Sequence, residues 1–135
     1  MPGDRRRKIV NETRNVMLGD RVRVADNFWR RLKGLLGTRS LHPGDGLWIS
    51  PCDAVHTLGM RYPIDLVFID GSGVVVGCCP GLPPNRISPR YRKACGVLEL
   101  PAGMLARTGT EPGDRVRFEA PRDDAAALTP PRARW

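Results

Sequence analysis

The stretch HTLGMRYPIDLVFIDGSGVVV, residues 56–76, decides the fold. Its central part, residues 64–69, is apolar at every position except Asp65. A short run that is apolar on both of its alternating faces is typical of a strand covered on both sides. The letters DGSG at residues 70–73 give a turn signal, and a second apolar run follows them. The sequence therefore predicts a central strand paired in a hairpin with the next run.

Short strands are expected through most of the remaining chain. Alternation of apolar and polar residues, or short apolar runs between turn signals, indicates them. In the last strand, Val116 and Phe118 should face inward, and Gly19 and Asp20 give a turn signal near the first. The predicted strands lie within residues 16–25, 47–50, 55–61, 64–70, 74–79, 96–103 and 114–120.

One helix is expected, in DNFWRRLKGLLG at residues 26–37. Asp26 can cap its N-terminus, and Gly37 can end it. About seven short strands with one packed helix predict a mainly β fold, a small β-barrel or jelly-roll-like sandwich. The apolar residues that recur at helical spacing, and that should pack on the sheet, are Phe28, Leu32, Leu35 and Leu36.

The length of 135 residues fits a single domain with tails. Residues 1–12 are polar and basic, so we expect a disordered N-terminal tail there. Residues 121–135 are of low complexity and should form a flexible C-terminal tail. The single β-rich domain is then expected at residues 13–120.

The net charge of +8 bears on the compartment and the partner. The cations are spread among acids along the chain, which favours a solvated surface over a nucleic-acid site. No apolar stretch approaches the roughly 20 residues of a membrane span, and no apolar segment follows the N-terminal charges as in a secretory signal. We therefore expect a cytoplasmic protein and rank nucleic acid below other partners.

Cysteine and histidine spacing gives no sign of a bound metal or cofactor, and none is expected. The two histidines are far apart and show no zinc-site spacing. The even number of cysteines indicates disulfides only in a secretory context. We expect reduced, partly buried thiols at the four cysteines, Cys52, Cys78, Cys79 and Cys95.

A proline-rich segment at residues 80–93 carries four arginines or lysines. Proline cannot donate a hydrogen bond to a strand ladder, so this segment is predicted to be a long surface loop. An exposed basic loop is the best candidate in this chain for a surface that contacts a partner.

Three segments together resemble the bacterial and archaeal family called domain of unknown function 192. They are RLKGLLGTRSLHPGDGLWIS, HTLGMRYPIDLVFIDGSGVVV and VLELPAGMLARTGTEPGDRV, in this order and spacing. The resemblance covers residues 28–118 and implies a small β-rich barrel or jelly-roll-like domain with no established activity. Many relatives look exported, unlike this chain, and many carry an aromatic residue at the position of His56.

His56, Arg61 and Asp65 are the candidate functional residues of the opening stretch. In an extended segment His56 shares the expected core face with Leu58 and Met60, whereas Arg61 lies on the opposite face. A carboxylate in so apolar a strand needs a partner or several hydrogen bonds. We expect Arg61 and Asp65 to be structural partners, and His56 to line a small cavity on the opposite face from Arg61.

Arg39 and Glu99 complete a candidate polar pocket with His56, Arg61 and Asp65. Arg39 and the backbone N–H groups of the turn at Tyr62 and Pro63 are alternative partners for its carboxylate. Glu99 alternates with leucines, so its side chain should face solvent or pair with an arginine. No catalytic residue is assigned, because the cysteine four residues before His56 would lie ~13 Å away in an extended chain.

The predicted function is that of a non-catalytic accessory domain that binds a small ligand or a protein partner. One alternative is a small hydrolase-like enzyme that uses His56 and Asp65. Another is a weak nucleic-acid binder that uses the basic tails. A deep polar pocket at His56 would favour an enzyme or a ligand binder, and the oligomeric state stays open.

Overall fold

Seven strands and one short helix form the part of the chain that the computed structural model describes, residues 6–25 and 41–120. The strands build one sheet in the order β5-β4-β6-β3-β2-β1-β7, curled into a half-barrel, which confirms the mainly β prediction. Neighbouring strands are antiparallel except β2 and β3, which are parallel. The elements are β1 Arg6–Asn11, β2 Val16–Ala25, β3 Asp45–Ile49, β4 Ile64–Ile69, β5 Val75–Leu82, β6 Gly96–Pro101, α1 Met104–Thr108 and β7 Val116–Glu119.

Strand β4 is the central strand that the sequence predicts. It pairs with β5 on one side and β6 on the other, and all six of its residues are buried. The hairpin to β5 turns where predicted, with Asp70 Oδ1 accepting hydrogen bonds from the N–H groups of Ser72 and Val74 at 2.8 and 3.0 Å. Gly73 completes this turn at φ 88°, a left-handed conformation that glycine adopts without strain.

Two apolar clusters, one on each face of the sheet, form the core. Alternation along β4 places Val67 and Ile69 in the inner cluster and Leu66 and Phe68 in the outer cluster. The inner cluster fills the half-barrel beneath α1 and includes Ile9, Leu18, Val22, Trp48, Leu98, Leu100, Met104, Leu105, Val116 and Phe118. The outer cluster also includes Leu47, Ile49, Val55, Met60, Ile64, Leu82 and Val97.

The two ends of the sheet approach each other beside the inner cluster. An isolated antiparallel bridge joins Val74 to Arg115. Beside it, Val75 N–H donates to Asp114 O and Val116 N–H donates to Gly73 O, both at 2.8 Å. Backbone hydrogen bonds between the starts of β5 and β7 therefore connect the two edges of the half-barrel at one end.

Strand β1 corrects the prediction for the N-terminus. The sequence predicts a disordered tail at residues 1–12, but residues 6–11 form a strand between β2 and β7. Ile9 and Val10 are buried, and ladders on both sides satisfy the backbone. Long-range pairing outweighs the basic local composition, so the prediction is wrong for residues 6–11. Residues 1–5 lie outside the described part of the chain.

Strand β2 corrects the predicted turn at Gly19 and Asp20. The strand runs without interruption through both residues, and the turn lies earlier, between β1 and β2. Gly19 is instead required by a close approach, because a β-carbon there would lie 3.0 Å from the carbonyl oxygen of Gly44.

The prediction of a long surface loop in the proline-rich segment is confirmed only in part. The proline-rich segment is a loop only from residue 83, since β5 continues through Pro80 to Leu82. Proline is tolerated there because β5 is an edge strand. The helix expected at residues 26–37 and the tail at 121–135 lie outside the described residues. In the described ranges, no helix is long and apolar enough to cross a membrane.

Candidate functional site

Asp65 is buried beneath α1 and accepts three backbone hydrogen bonds. Its Oδ1 accepts from Gly81 N–H at 2.7 Å, and its Oδ2 accepts from Gly103 and Leu105 N–H at 3.1 and 2.8 Å. The side chain is only 1% exposed. A carboxylate that receives N–H groups at the start of a helix stabilises that end. Asp65 therefore ties β4 to β5 and α1.

The expected ion pair between Arg61 and Asp65 is absent from the described contacts. Arg61 is exposed, and the partners found for the Asp65 carboxylate are backbone N–H groups. The structural role expected for Asp65 agrees with this geometry, but its partners differ from the leading expectation. The alternative partner, Arg39, lies outside the described residues.

Glu99 is fully buried, which corrects the expectation that it faces solvent. It lies on β6 opposite Leu47 of β3 and Leu66 of β4. Because β6 is covered on both faces, alternation with leucine does not bring a side chain to the surface. Leu66 faces the outer cluster and its neighbour Asp65 faces the inner side, so the two carboxylates lie on opposite faces of the sheet. They do not share one pocket.

The segment that contains His56 turns instead of continuing as a strand. His56 is half-buried and forms an antiparallel bridge with Ile87. Met60 N–H donates to Thr57 O at 3.1 Å, which closes a turn directly after His56. Leu58 is consequently 53% exposed, so the expected core face shared by His56, Leu58 and Met60 does not form.

Thr57 fastens this turn to the proline-rich loop. It is fully buried, and its hydroxyl donates to Pro83 O at 2.6 Å and accepts from Arg86 N–H at 2.9 Å. Its backbone N–H donates to Arg86 O at 2.8 Å, and its carbonyl accepts from Asn85 N–H at 2.9 Å. One threonine therefore forms hydrogen bonds with four backbone groups of the loop.

The loop is held at two further points along its length. Ser88 N–H donates to Val55 O at 2.7 Å, and Ser88 Oγ accepts from Val55 N–H at 2.9 Å. Tyr91 N–H donates to Asp53 O at 2.9 Å, and the Tyr91 ring packs on Phe68 of β4. We name the two joined segments, residues 53–61 and 83–93, the loop platform.

The outer surface of the loop platform combines apolar and cationic side chains. Ile87 is 73% exposed and forms a bridge with His56. Leu58, two residues after His56, is also exposed. The only acidic residue within the platform is Asp53, which approaches Arg90 at 3.6 Å. The platform also carries five exposed cationic residues, Arg61, Arg86, Arg90, Arg92 and Lys93.

Three surface arginines outside the platform pair with carboxylates of the same chain, while others, such as Arg107, show no such pair among the described residues. Arg14 bonds Asp114, Arg21 bonds Asp45 and Arg117 bonds Glu119. Among the described residues, four platform cations lack such an ion pair. Cations without carboxylate partners leave a local excess of positive charge on the platform. Those four are Arg61, Arg86, Arg92 and Lys93.

The four cysteines are partly buried and are not joined in disulfides, as the sequence predicts. Burial raises the pKa of Cys78 to about 11, with a smaller contribution from the nearby Asp114 carboxylate. Burial also raises the pKa of Cys79 and of Cys95. Their thiolate forms, which are the reactive species, are therefore scarce at neutral pH.

The loop is predictable from the sequence, but the residues that hold it are not. Prolines and arginines identify an exposed segment, whereas Thr57, Ser88 and Tyr91 act through contacts with residues distant in the chain. Such contacts leave no periodic signal, and no motif in the chain would have identified them.

Comparison with known proteins gives the family and the fold. The model of the family DUF192 (Uncharacterized ACR, COG1430) matches residues 9–118. A UPF0127 protein of Pyrococcus abyssi is 32% identical over 82% of this chain and 96% of its own length.

Two crystal structures share the architecture. One, described as a "putative transcription regulator" of Sinorhizobium meliloti, has a TM-score of 0.71 at 24% identity and covers 84% of this chain and 92% of its own. The other, a protein of unknown function from Novosphingobium aromaticivorans, has a TM-score of 0.70 at 21% identity and covers 82% of each chain. At these identities the likeness shows the fold alone.

Proposed function

We propose that this chain, which belongs to the DUF192 family of uncharacterised proteins, is a non-catalytic partner-binding domain. Its contact surface is the loop platform. The observation that carries the proposal is the exposure of Ile87 on a segment fixed by backbone hydrogen bonds. Single exposed apolar residues are common on protein surfaces. Here two exposed apolar residues, Leu58 and Ile87, belong to one platform that also carries five exposed cationic residues.

The rigidity of the loop platform supports a role in binding. Pro83, Pro84 and Pro89 restrict its backbone, and Thr57 and Ser88 fasten it to the neighbouring segment. A surface that is already ordered loses little conformational entropy when a partner binds. This is the property expected of a preformed docking face.

The two alternatives have less support. A hydrolase that used His56 with Asp65 would need a free carboxylate, but both Asp65 oxygens accept backbone hydrogen bonds. A nucleic-acid binder that used the N-terminal basic residues would need a free arm, but residues 6–11 belong to the sheet. The cytoplasmic location expected from the sequence stays a prediction.

Site-specific photocrosslinking in a lysate of the source cells tests the proposal. A photoreactive amino acid is placed at residue 87 and, as a matched control, at Met17, another exposed apolar residue that lies on β2. We expect a discrete protein adduct from position 87 that is not formed from position 17. An excess of unmodified chain should compete for this adduct, whereas an Ile87→Asp chain should not. Equal adducts from both positions, or none from position 87, would contradict the proposal.

A further inference from the structure

We infer that the loop platform recognises an acidic polypeptide segment that carries apolar side chains. This inference rests on the proposed function and names the chemistry of the partner. The starting observation is the balance of charge, five cationic residues against the single carboxylate of Asp53. Arginine guanidinium groups match carboxylates in geometry and can bind them through two parallel hydrogen bonds.

Exposed platform arginines that have no carboxylate partner among the described residues can bind a carboxylate of another molecule. In the described part of the chain, Arg14, Arg21 and Arg117 already bind acidic side chains of the same molecule. Arg86 and Arg92 are exposed without such partners in the described ranges. A partner that supplies carboxylates would give these platform arginines the pairing that the other three obtain internally.

The exposed apolar side chains of the platform favour protein over nucleic acid. Proteins that bind single-stranded nucleic acid commonly present exposed aromatic rings on which bases stack. The exposed apolar side chains here, Leu58 and Ile87, are aliphatic, and the Tyr91 ring packs inward on Phe68. Aliphatic side chains within a polar rim suit the apolar side chains of a polypeptide.

A second copy of this chain does not fit the same surface. Two-fold pairing would bring each platform against its own image, with cations facing cations. Like charges that oppose each other across an interface work against association. The occupant is therefore a different molecule, with charge of the opposite sign.

Binding of defined probes to the full chain, measured by fluorescence anisotropy, tests the inference. The first probe is a short labelled peptide in which glutamate alternates with leucine. The second replaces every glutamate with lysine, and the third is a single-stranded oligothymidine. We expect the glutamate peptide to bind most tightly, and its affinity to fall as salt is raised because screening weakens exposed charge pairs.

Substitutions locate the binding on the platform. The double variant Arg86→Ala with Arg92→Ala, and separately Ile87→Ser, should each weaken binding of the glutamate peptide roughly tenfold, as hot-spot residues do. The matched controls Arg21→Ala and Met17→Ser should bind as the unmodified chain does. All these side chains are exposed, so circular dichroism should show unchanged folding.

Several outcomes would overturn the inference. They are equal binding of the lysine peptide, tighter binding of the oligonucleotide through the same arginines, equal losses in the control variants, or no binding of the glutamate peptide. If the glutamate peptide fails while position 87 still crosslinks to a partner without an acidic segment, this inference falls and the proposed function stands.

Discussion

The ring of Tyr91 lies directly over Gly77, so closely that a β-carbon at residue 77 would overlap the ring atoms. Tyr91 also packs against Phe68, with ring centroids 4.4 Å apart. The C-terminal part of the loop platform thus packs, through Tyr91, on the glycine of β5 and the phenylalanine of β4. The absence of a side chain at residue 77 is what allows the loop to approach the sheet.

Gly77→Ala should therefore destabilise the protein and loosen the platform. Overpacking of this kind costs roughly 1–3 kcal/mol, measured as a fall in the free energy of unfolding in urea. In a Tyr91→Ala background the same substitution should cost clearly less, because the overlapping ring is gone. An equal loss of stability in both backgrounds would show that the Tyr91 ring is not the reason why residue 77 must be glycine.

Asp65→Asn should lower stability by roughly 2–3 kcal/mol, because an amide cannot replace a carboxylate that accepts three N–H groups. Denaturant unfolding measures the change. The matched control is Asp53→Asn, at a partly exposed side chain, which should stay within about 0.5 kcal/mol of the unmodified chain. An unchanged unfolding midpoint for Asp65→Asn would refute the anchoring role.

The pKa of Asp114 predicts a pH-dependent contribution to stability. Burial alone would raise this pKa, but hydrogen bonds from Arg14 and Asn11 outweigh burial and hold it below its ordinary value. A lowered pKa in the folded state stabilises the protein above the unfolded value of about 3.9, and this contribution is lost as the pH falls through the lowered pKa.

Asp114→Asn should accordingly be less stable than the unmodified chain at pH 7. The difference between the two should shrink below about pH 4, as protonation removes the charge from the unmodified chain. Thermal unfolding of both proteins across this range measures the effect. A difference that stays constant down to pH 2 would contradict it.

Removal of β1 should abolish cooperative folding. A chain that begins at residue 12 lacks the strand between β2 and β7, together with the buried Ile9 and Asn11. Loss of an internal strand exposes apolar surface and leaves backbone groups of two neighbours unpaired. Urea unfolding followed by fluorescence should show no sigmoidal transition. Removal of residues 121–135 provides a comparison in which all seven described strands are retained.

Cys78 should react slowly with iodoacetamide in the folded protein. With a pKa of about 11, only about one thiol in a thousand is ionised at pH 8. Mass spectrometry of digests after timed alkylation measures the rate at this residue. Alkylation in concentrated urea, where burial is lost, should be much faster. Equal rates in the two conditions would show that burial does not protect this thiol.

The sequence predicts the centre of the fold better than its borders. The central strand at residues 64–69 follows from apolar residues on both faces, and its hairpin follows from turn chemistry. Strand β1 has no comparable signal, because Ile9 and Val10 stand among basic residues and their ladder partners are distant in the chain. Pairing between distant segments is not encoded in local composition.

The candidate site shows the same division. Proline and arginine content is sufficient to predict an exposed basic loop, whereas the buried hydroxyl of Thr57 that fastens it carries no local signal. The need of Asp65 for partners is predictable from burial of charge. Its donors are not, since Gly103 and Leu105 lie on a different element that only the tertiary fold brings close.

The position of β1 between β2 and β7 has a consequence for synthesis on the ribosome. Lys8 pairs with Glu119, so β1, which leaves the exit tunnel before the other described strands, must wait for β7 before its second edge is covered. Closing so long a loop costs entropy before any contact is gained, and sheets with such distant pairings fold in milliseconds to seconds. The nascent chain can therefore complete its half-barrel only once translation has reached β7.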